Sequence, residues 1–202
     1  MTPPRDRPTF TEAARRQQII DAALQTIAEQ GYTQASFAEI ARSLGITKGL
    51  IAYHFDGRHD LITSAIQTLL SRQSAYVKER VAAHHDAVGR MQAYIAASFD
   101  YIAQHRAHVA ALVDLWGSFT SPLEKVAFSQ TAYEPCRAHL RAIMRAGLEQ
   151  GVFAECDPTV MAAVIQAGID GVMLQWVFDP TAVDLAAASH ELQTMVMQRI
   201  RR

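Results

Sequence analysis

The 202-residue sequence has few of the residues that mark β-rich, disulfide-bonded or strongly charged proteins. Ten glycines and seven prolines are too few for a mostly β chain, which needs many tight turns. Two cysteines, with no apolar leader at the start of the chain, favour free thiols in a reducing cytoplasm. The net charge of −1 means that any nucleic-acid surface must be local. Composition therefore favours an all-α protein with a sizeable hydrophobic core.

The sequence also lacks the common motifs of catalysis. It has no glycine-rich phosphate loop, no nucleophile elbow and no paired-carboxylate motif. Cys136 with His139, and His105 with His108, have the i, i+3 spacing that shares a helix face, but neither pair belongs to a metal-binding motif. We therefore predict no enzymatic activity, no metal and no cofactor.

Residues 36–55 have the pattern of two short amphipathic helices separated by a glycine. Ser36 is placed to cap the first helix, with Glu39 reaching back, and apolar residues follow at i, i+3, i+4 and i+7. Gly45 permits a sharp turn, and Thr47 is placed to cap the second helix. The pattern predicts a helix-turn-helix.

The outward face of the second helix combines basic, small and aromatic residues, which suits a DNA major groove. Lys48 can reach guanine or phosphate, Leu50 a thymine methyl group, and Tyr53 backbone oxygens. A helical hairpin buried in a core is the alternative, but it would carry large apolar residues on this face. The predicted DNA-binding residues are Ser36, Thr47, Lys48, Gly49, Leu50, Tyr53, His54 and Arg58.

The same part of the chain resembles the TetR family of regulators, in unbroken register from about Arg15 to Leu61. The motifs that carry the resemblance are Ile19-Ile20-Asp21-Ala22-Ala23, Glu29-Gln30-Gly31-Tyr32, Phe37 to Gly45, and Tyr53-His54-Phe55 followed by Arg58 and Leu61. The resemblance implies a three-helix DNA-binding head at residues 11–58, with the recognition helix at about residues 48–54. The family commonly has an aromatic residue where this chain has Ala52, so that phosphate contact must be lost or pass to Tyr53 or His54.

Residues 59–202 are expected to form a larger helical body for ligand binding and dimerisation. Residues 1–10 hold three prolines and are expected to form a disordered arm. The first helix is predicted to begin after Thr11 or Glu12 and to stop at Gly31. The predicted helices of the body span residues 59–82, 87–105, 107–117, 122–150, 158–178 and 183–200.

Residues 160–178 give the strongest signal for dimerisation, because apolar positions surround much of the predicted helix. A membrane span is the alternative, but Asp170 near its centre would cost about 2.5–3.5 kcal/mol in a bilayer. The near-heptad pattern of the last helix predicts a homodimer that pairs the last two helices of each chain, with no membrane association. The predicted interface residues are Val164, Gly168, Gly171, Val172, Leu192, Met195 and Val196.

An effector site in the body is implied by the family resemblance. Aromatic side chains beside carboxylates suit a cationic ligand and methionines suit an apolar one, so the sequence leaves the identity of the effector open. Each candidate residue can also be an ordinary part of the core. The candidates are Phe99, His105, Val113, Trp116, Phe119, Tyr133, His139, Gln166 and Trp176.

The sequence therefore predicts a cytoplasmic, homodimeric transcription regulator. We expect a repressor that reads a palindromic operator in double-stranded DNA and is released when a small molecule fills the body. The alternative is a helical ligand-binding or interaction protein that does not read DNA, which the absence of an aromatic residue at Ala52 keeps open.

Overall fold

The computed structural model describes residues 10–117, 119 and 121–201, and the all-α fold predicted from the sequence is confirmed within them. No strand forms in this part of the chain, although an isolated β-bridge joins Phe153 to Arg201. The predicted arm lies almost wholly outside the described residues. The α-helices are α1 Phe10–Gln30, α2 Phe37–Leu44, α3 Lys48–His54, α4 Gly57–Ala82, α5 Ala87–Gln104, α6 Arg106–Trp116, α7 Pro122–Phe128, α8 Glu134–Glu149, α9 Pro158–Phe178 and α10 Leu185–Ile200.

The chain forms two compact units, which divide between Thr68 and Leu69. We call the first unit the head and the second the body. The division falls within α4, because the first turns of this helix bury Leu61 and Ala65 in the head. The hydroxyl of Ser64 also accepts a hydrogen bond from Arg16 of α1, with 2.7 Å between Nη2 and Oγ.

The head is held together by the apolar faces that its helices turn inward. Ile51 and Phe55 of the α3 segment are buried, as the i, i+4 pattern predicted. A short 3₁₀ turn over Tyr32–Gln34 connects α1 to α2 and follows Gly31, whose φ is 86°. This turn was not predicted, because a single 3₁₀ turn leaves no periodic pattern in the sequence.

The core of the body forms where α5 contacts α8, α9 and α10. Met91 and Ile95 of α5 are fully buried there, together with Leu140 of α8 and Ile165 of α9. Each of these helices contributes an apolar face, which explains why helical periodicity located most of them correctly.

The single helix predicted at residues 122–150 is divided in the structure. A π-helical turn over Ser129–Tyr133 separates α7 from α8. Pro135 follows directly in the first turn of α8 and has no N–H to extend a regular α-helical ladder back into this segment. The wider π-helical turn sets the position of Tyr133 and of the first turn of α8. Such turns often lie beside functional sites.

Candidate DNA-binding surface and effector site

The two helices of the helix-turn-helix begin at side-chain caps. The hydroxyl of Ser36 accepts a hydrogen bond from the Glu39 amide at 3.3 Å, and that of Thr47 accepts one from the Leu50 amide at 3.2 Å. The predicted return contact from Glu39 is wrong. Its carboxylate instead pairs with Arg42 and accepts a hydrogen bond from Gln30, and these contacts lower the pKa of Glu39.

The turn between the helices depends on Gly45. Its φ of 63° and ψ of 33° lie in the left-handed region that glycine adopts at little cost. The next amide, of Ile46, donates to the carbonyl of Ala41 at 3.0 Å and closes the end of α2. The backbone therefore turns sharply enough to present α3 as a separate helix.

The outward face of α3 is accessible. Lys48 and Gly49 are exposed, and Tyr53 is exposed over 66% of its surface. Leu50 and His54 are half-buried, and the rings of Tyr53 and His54 meet edge to face at 5.1 Å. This exposure does not fit the alternative in which the hairpin is buried in a core.

Two of the predicted DNA-binding residues also make contacts within the head. The Tyr53 hydroxyl donates to Glu12 of α1 at 2.8 Å, which holds the phenol ring on the face of α3. Arg58 stacks on the ring of Tyr32 at 4.2 Å and donates to the carbonyls of Tyr32 and Ala35. These bonds give Arg58 a role in holding the 3₁₀ turn, and its predicted phosphate contact stays a prediction.

In the body, four aromatic side chains from α6, α7 and the segments that join them to α8 lie close together. We call Trp116, Phe119, Phe128 and Tyr133 the aromatic cluster. Ring centroids are 6.2 Å apart for Trp116 and Tyr133, 4.9 Å for Phe119 and Phe128, and 5.9 Å for Phe128 and Tyr133. The indole Nε1 of Trp116 is buried and has no acceptor among the described residues. A buried donor without a partner costs free energy that a ligand oxygen could recover.

The carboxylate of Asp170, on α9, acts on Tyr133 of this cluster through its charge. The side-chain amide of Gln166 donates to Asp170 at 2.9 Å and accepts a hydrogen bond from the Tyr94 hydroxyl at 3.3 Å. Burial raises the pKa of Asp170 to about 6, against the opposing effect of the Gln166 bond. Burial, followed by the charge of Asp170, raises the pKa of Tyr133 to about 12. Asp170 was not among the predicted ligand contacts, although it is the only acidic residue within the apolar run at residues 160–178.

The other ligand candidates are distributed over the body. Phe99 is a buried core residue, and His105 stacks on Tyr101 with 4.1 Å between ring centroids. The ring of Trp176 lies 5.7 Å from the guanidinium of Arg106, and His139 contacts Tyr94 edge to face at 5.3 Å. Half-buried Val113 packs on the edge of the core. The structure thus groups Trp116, Phe119 and Tyr133, and places Gln166 beside Asp170.

The predicted dimer-interface residues fall into two groups. Val164 and Met195 are 59% and 58% exposed, and the Cα of Gly171 faces open space. Val196, by contrast, is only 6% exposed, because it is part of the core of its own chain, so its place in an interface is a correction. Leu192 packs against Gly168 of the same chain, where an added Cβ would lie 3.1 Å from Leu192 Cδ1. Half-buried Val172 also packs on the core.

Helix α9 combines this exposed face with an unusually apolar composition. Within the described chain it is the one helix that is long and apolar enough to cross a membrane by those two criteria alone. Its Ile165, Ile169 and Met173 are buried against the other helices of the body. No group of three or more potential metal ligands occurs among the described residues.

An exposed recognition helix on a capped helix-turn-helix, followed by an all-α body, defines the class of helix-turn-helix regulators. Residues 19–65 match the family described as bacterial regulatory proteins, tetR family. Residues 87–201 match the family described as BetI-type transcriptional repressor, C-terminal. The chain belongs to the TetR family of transcriptional regulators, whose members are not enzymes.

Individual relatives agree with this placement. The HTH-type transcriptional regulator BetI of Serratia proteamaculans is 34% identical over 106 residues, so the match spans 52% of this chain and about half of that relative, at 54%. BetI of Burkholderia cenocepacia is 28% identical over 182 residues, which cover 86% of this chain and 88% of the relative. A regulator from Saccharomonospora viridis, solved in complex with choline, shares the fold with a TM-score of 0.83 at 21% identity, covering 94% and 99% of the two chains.

Proposed function

We propose that this protein is a cytoplasmic transcriptional repressor that binds a palindromic operator as a homodimer and is released by a small quaternary ammonium compound such as choline. The proposal for DNA is supported by the exposed face of α3, on which Lys48, Gly49 and Tyr53 are accessible. With a local face and no overall positive charge, one head would bind weakly. Two heads about 34–36 Å apart would meet successive major grooves and add their contacts.

The homodimer is supported by the apolar surface that α9 and α10 leave open. Val160, Val164 and Met195 are all more than half exposed, and Phe178 at the end of α9 is 76% exposed. A second copy of the same two helices would remove these side chains from water in a four-helix arrangement. Val164, Gly171 and Met195 are the predicted interface residues that this arrangement uses.

The observation that carries the effector proposal is the half-buried carboxylate of Asp170, whose charge acts on Tyr133 of the aromatic cluster. A quaternary ammonium has no N–H groups, so it is recognised by aromatic faces and an opposite charge rather than by hydrogen bonds. The ionised Asp170 would supply the charge, while Trp116 and Tyr133 would supply the faces. The Nε1 of Trp116, which has no acceptor among the described residues, would donate to an oxygen such as the choline hydroxyl. The choline complex of the Saccharomonospora regulator, which shares this fold, supports the same ligand class.

Coupling between effector and operator follows from the continuity of α4. This helix runs unbroken from Gly57 to Ala82, and it contributes its first turns to the head and its remainder to the body. A ligand that changes how the body helices pack would act on the last turns of α4, and α4 is the element that both units share. Release then requires only that choline binds one arrangement of the body more tightly than the other.

The effector proposal is tested by titrating the purified protein with choline and following tryptophan fluorescence. In a Trp176→Phe background the signal comes from Trp116 alone, since the chain has two tryptophans. Asp170→Asn should weaken choline binding about thirtyfold or more, because a desolvated ion pair loses one partner. Asp114→Asn removes an exposed carboxylate of the same charge and should leave the affinity within about twofold. Equal affinity of Asp170→Asn and the parent protein would contradict the proposed site.

The DNA proposal is tested by selecting the protein against a random pool of double-stranded DNA and sequencing the retained molecules. We expect an inverted repeat with half-sites about one helical turn apart. If no sequence is enriched at low or moderate salt, the operator-binding proposal is wrong, and the non-DNA alternative gains support.

A further inference from the structure

A concave site lies in the body, and no residue of the aromatic cluster lines it. Helices α4, α5 and α8 enclose a groove of about 300 Å³. We call it the basic groove. This volume is at the lower end of the range of about 300–1,000 Å³ that small-molecule pockets occupy. Its lining residues are Lys78, Val81, Ala82, Arg90, His139, Ala142 and Ile143.

The polar side chains of the basic groove all carry, or can carry, positive charge. Lys78 comes from α4, Arg90 from α5 and His139 from α8, and no carboxylate is among the described residues that line the groove. Arg90 is held in place by a hydrogen bond of 2.9 Å from its Nε to the carbonyl of His84. Like charges that converge on one concave surface repel each other, and a bound anion would relieve that repulsion.

His139 forms the wall between this groove and the interior. Its ring meets Tyr94 edge to face at 5.3 Å. Burial, followed by the charges of Lys78 and Arg90, lowers the pKa of His139 and so favours the neutral ring. Lys78 from α4 and Arg90 from α5 act on His139 through their charges, and Tyr94 from α5 contacts its ring. On the same helix as His139, the titratable neighbour one turn earlier is Cys136.

The remaining walls are apolar. Val81 and Ile143 are buried residues whose surfaces border the groove, and Ala82 and Ala142 complete the lining without filling it. A fully hydrated anion such as phosphate would gain nothing from these walls, whereas an aliphatic chain would lose contact with water there.

We propose that the basic groove is a second ligand site, which binds a small aliphatic carboxylate. The carboxylate would lie between Lys78 and Arg90, next to His139, and the chain would lie along Val81 and Ile143. None of the groove residues belongs to the aromatic cluster, and Asp170 does not line the groove. Because the groove presents positive charge and the proposed effector site presents the carboxylate of Asp170, the two sites would take ligands of opposite charge.

The proposal is tested by isothermal titration calorimetry of the full chain with sodium hexanoate, sodium acetate and inorganic phosphate. Hexanoate should bind, and acetate and phosphate should each bind about tenfold more weakly, because neither has a chain to cover the apolar walls. Phosphate or acetate binding as tightly as hexanoate would overturn the assignment of an aliphatic ligand. No binding of hexanoate at millimolar concentration would overturn the site itself.

Substitutions locate the site. Lys78→Gln and Arg90→Gln should each weaken hexanoate binding about tenfold. Arg90→Gln removes the bond to His84 and can loosen the α4–α5 connection. Lys78→Gln does not have this effect, because Lys78 is exposed and its substitution should leave the fold undisturbed. Arg145→Gln is the matched control, because Arg145 is an exposed cation of α8 that does not line the groove. An unchanged affinity in Lys78→Gln, or an equal loss in Arg145→Gln, would contradict the proposal.

His139 supplies a readout that a purely structural effect would not move. An anion beside the ring raises its pKa, so binding takes up a proton and hexanoate affinity should rise as the pH falls from 7.5 to about 6. His139→Gln should remove this slope while retaining binding through Lys78 and Arg90. A slope that persists in His139→Gln would overturn the placement of the carboxylate at this ring. These measurements do not depend on choline or DNA, so they can fail independently of the repressor proposal.

Discussion

The head and the body keep their polar side chains in different environments. In the head, Ser36 and Thr47 cap their own helices, and Glu39 and Arg42 form an exposed ion pair. In the body, side chains from α5 and α9 form a hydrogen-bonded chain from buried Tyr94 through buried Gln166 to half-buried Asp170. The helix-turn-helix therefore caps its helices with short-range bonds near the surface, whereas the body contains a largely desolvated carboxylate whose environment a ligand can change.

The largest effect that distinguishes the head from the body should follow from substitutions on the outward face of α3. Lys48→Ala or Tyr53→Ala should weaken operator binding about a hundredfold or more, because each substitution removes a contact in both heads of a dimer. Choline binding and the dimer should be unaffected, since both side chains are exposed on the head. Fluorescence anisotropy on a selected operator measures the first, and sedimentation the second. A variant that still binds the operator normally would contradict the contact assignment.

A smaller effect should reveal the buried charge of the body. The folded-state pKa of Asp170 is raised from 3.8 to about 6, so the ionised carboxyl destabilises the fold, and this penalty grows as the pH rises through that interval. Asp170→Asn should therefore increase the free energy of unfolding by about 2 kcal/mol at pH 7, and by less as the pH falls to 4.5. Urea denaturation of both proteins at the two pH values measures this. A gain that is independent of pH would show that the charge of Asp170 is not its cause, and Asp114→Asn serves as the exposed control.

The two sites of the body should respond to pH in opposite directions. A cation favours the ionised form of Asp170, so choline must displace a proton when the pH is below about 6. Choline affinity should fall about tenfold between pH 7 and pH 5, whereas hexanoate affinity should rise as the pH falls from 7.5 to about 6. Calorimetry over each of these ranges checks the two slopes. A choline affinity that does not change with pH would remove Asp170 from the effector site.

The smallest effects should distinguish two glycines of the helix-turn-helix. Gly45→Ala should destabilise the head by about 1 kcal/mol, because an L-residue is strained at its φ of 63° even though the added Cβ meets no atom within 4 Å. Gly49→Ala should stabilise α3 by up to about 1 kcal/mol, because alanine has a higher helix propensity than glycine. The added Cβ fits, since its nearest neighbour would be Thr47 Oγ1 at 3.8 Å. Thermal unfolding compares the two variants.

Operator affinity then gives the second comparison for these glycines. A stable Gly49→Ala variant that loses affinity would show that the backbone of α3 closely approaches DNA. Unchanged affinity would remove Gly49 from the predicted DNA contacts.

The helix-turn-helix could be predicted closely from the sequence because its signals are local. A cap at Ser36, a left-handed turn at Gly45 and a cap at Thr47 each act within three or four residues, and the structure has all three. The return contact of Glu39 was predicted wrongly because its carboxylate pairs with Arg42 and also accepts a hydrogen bond from Gln30, a residue of another helix. Local chemistry thus defines the elements, and contacts between elements require the structure.

The effector site could be predicted only in part. The aromatic residues Trp116, Phe119 and Tyr133 were recognisable as candidates, but the π-helical turn that positions Tyr133 has no periodic signal. Asp170 was not among the predicted ligand contacts, because the sequence does not show which face of α9 it occupies. The basic groove combines residues of three helices, so its assembly could not be read from the sequence.

We propose that a cation bound at Asp170 controls operator binding by the head, and an operator-release experiment tests this. The protein is bound to a selected operator, choline is added, and fluorescence anisotropy records the fraction of DNA that remains bound, for the parent protein and for Asp170→Asn. We expect choline to release the parent protein from the operator and Asp170→Asn to stay bound at the same choline concentrations. Equal release of both proteins, or a parent protein that binds choline and keeps its operator, would contradict the proposal.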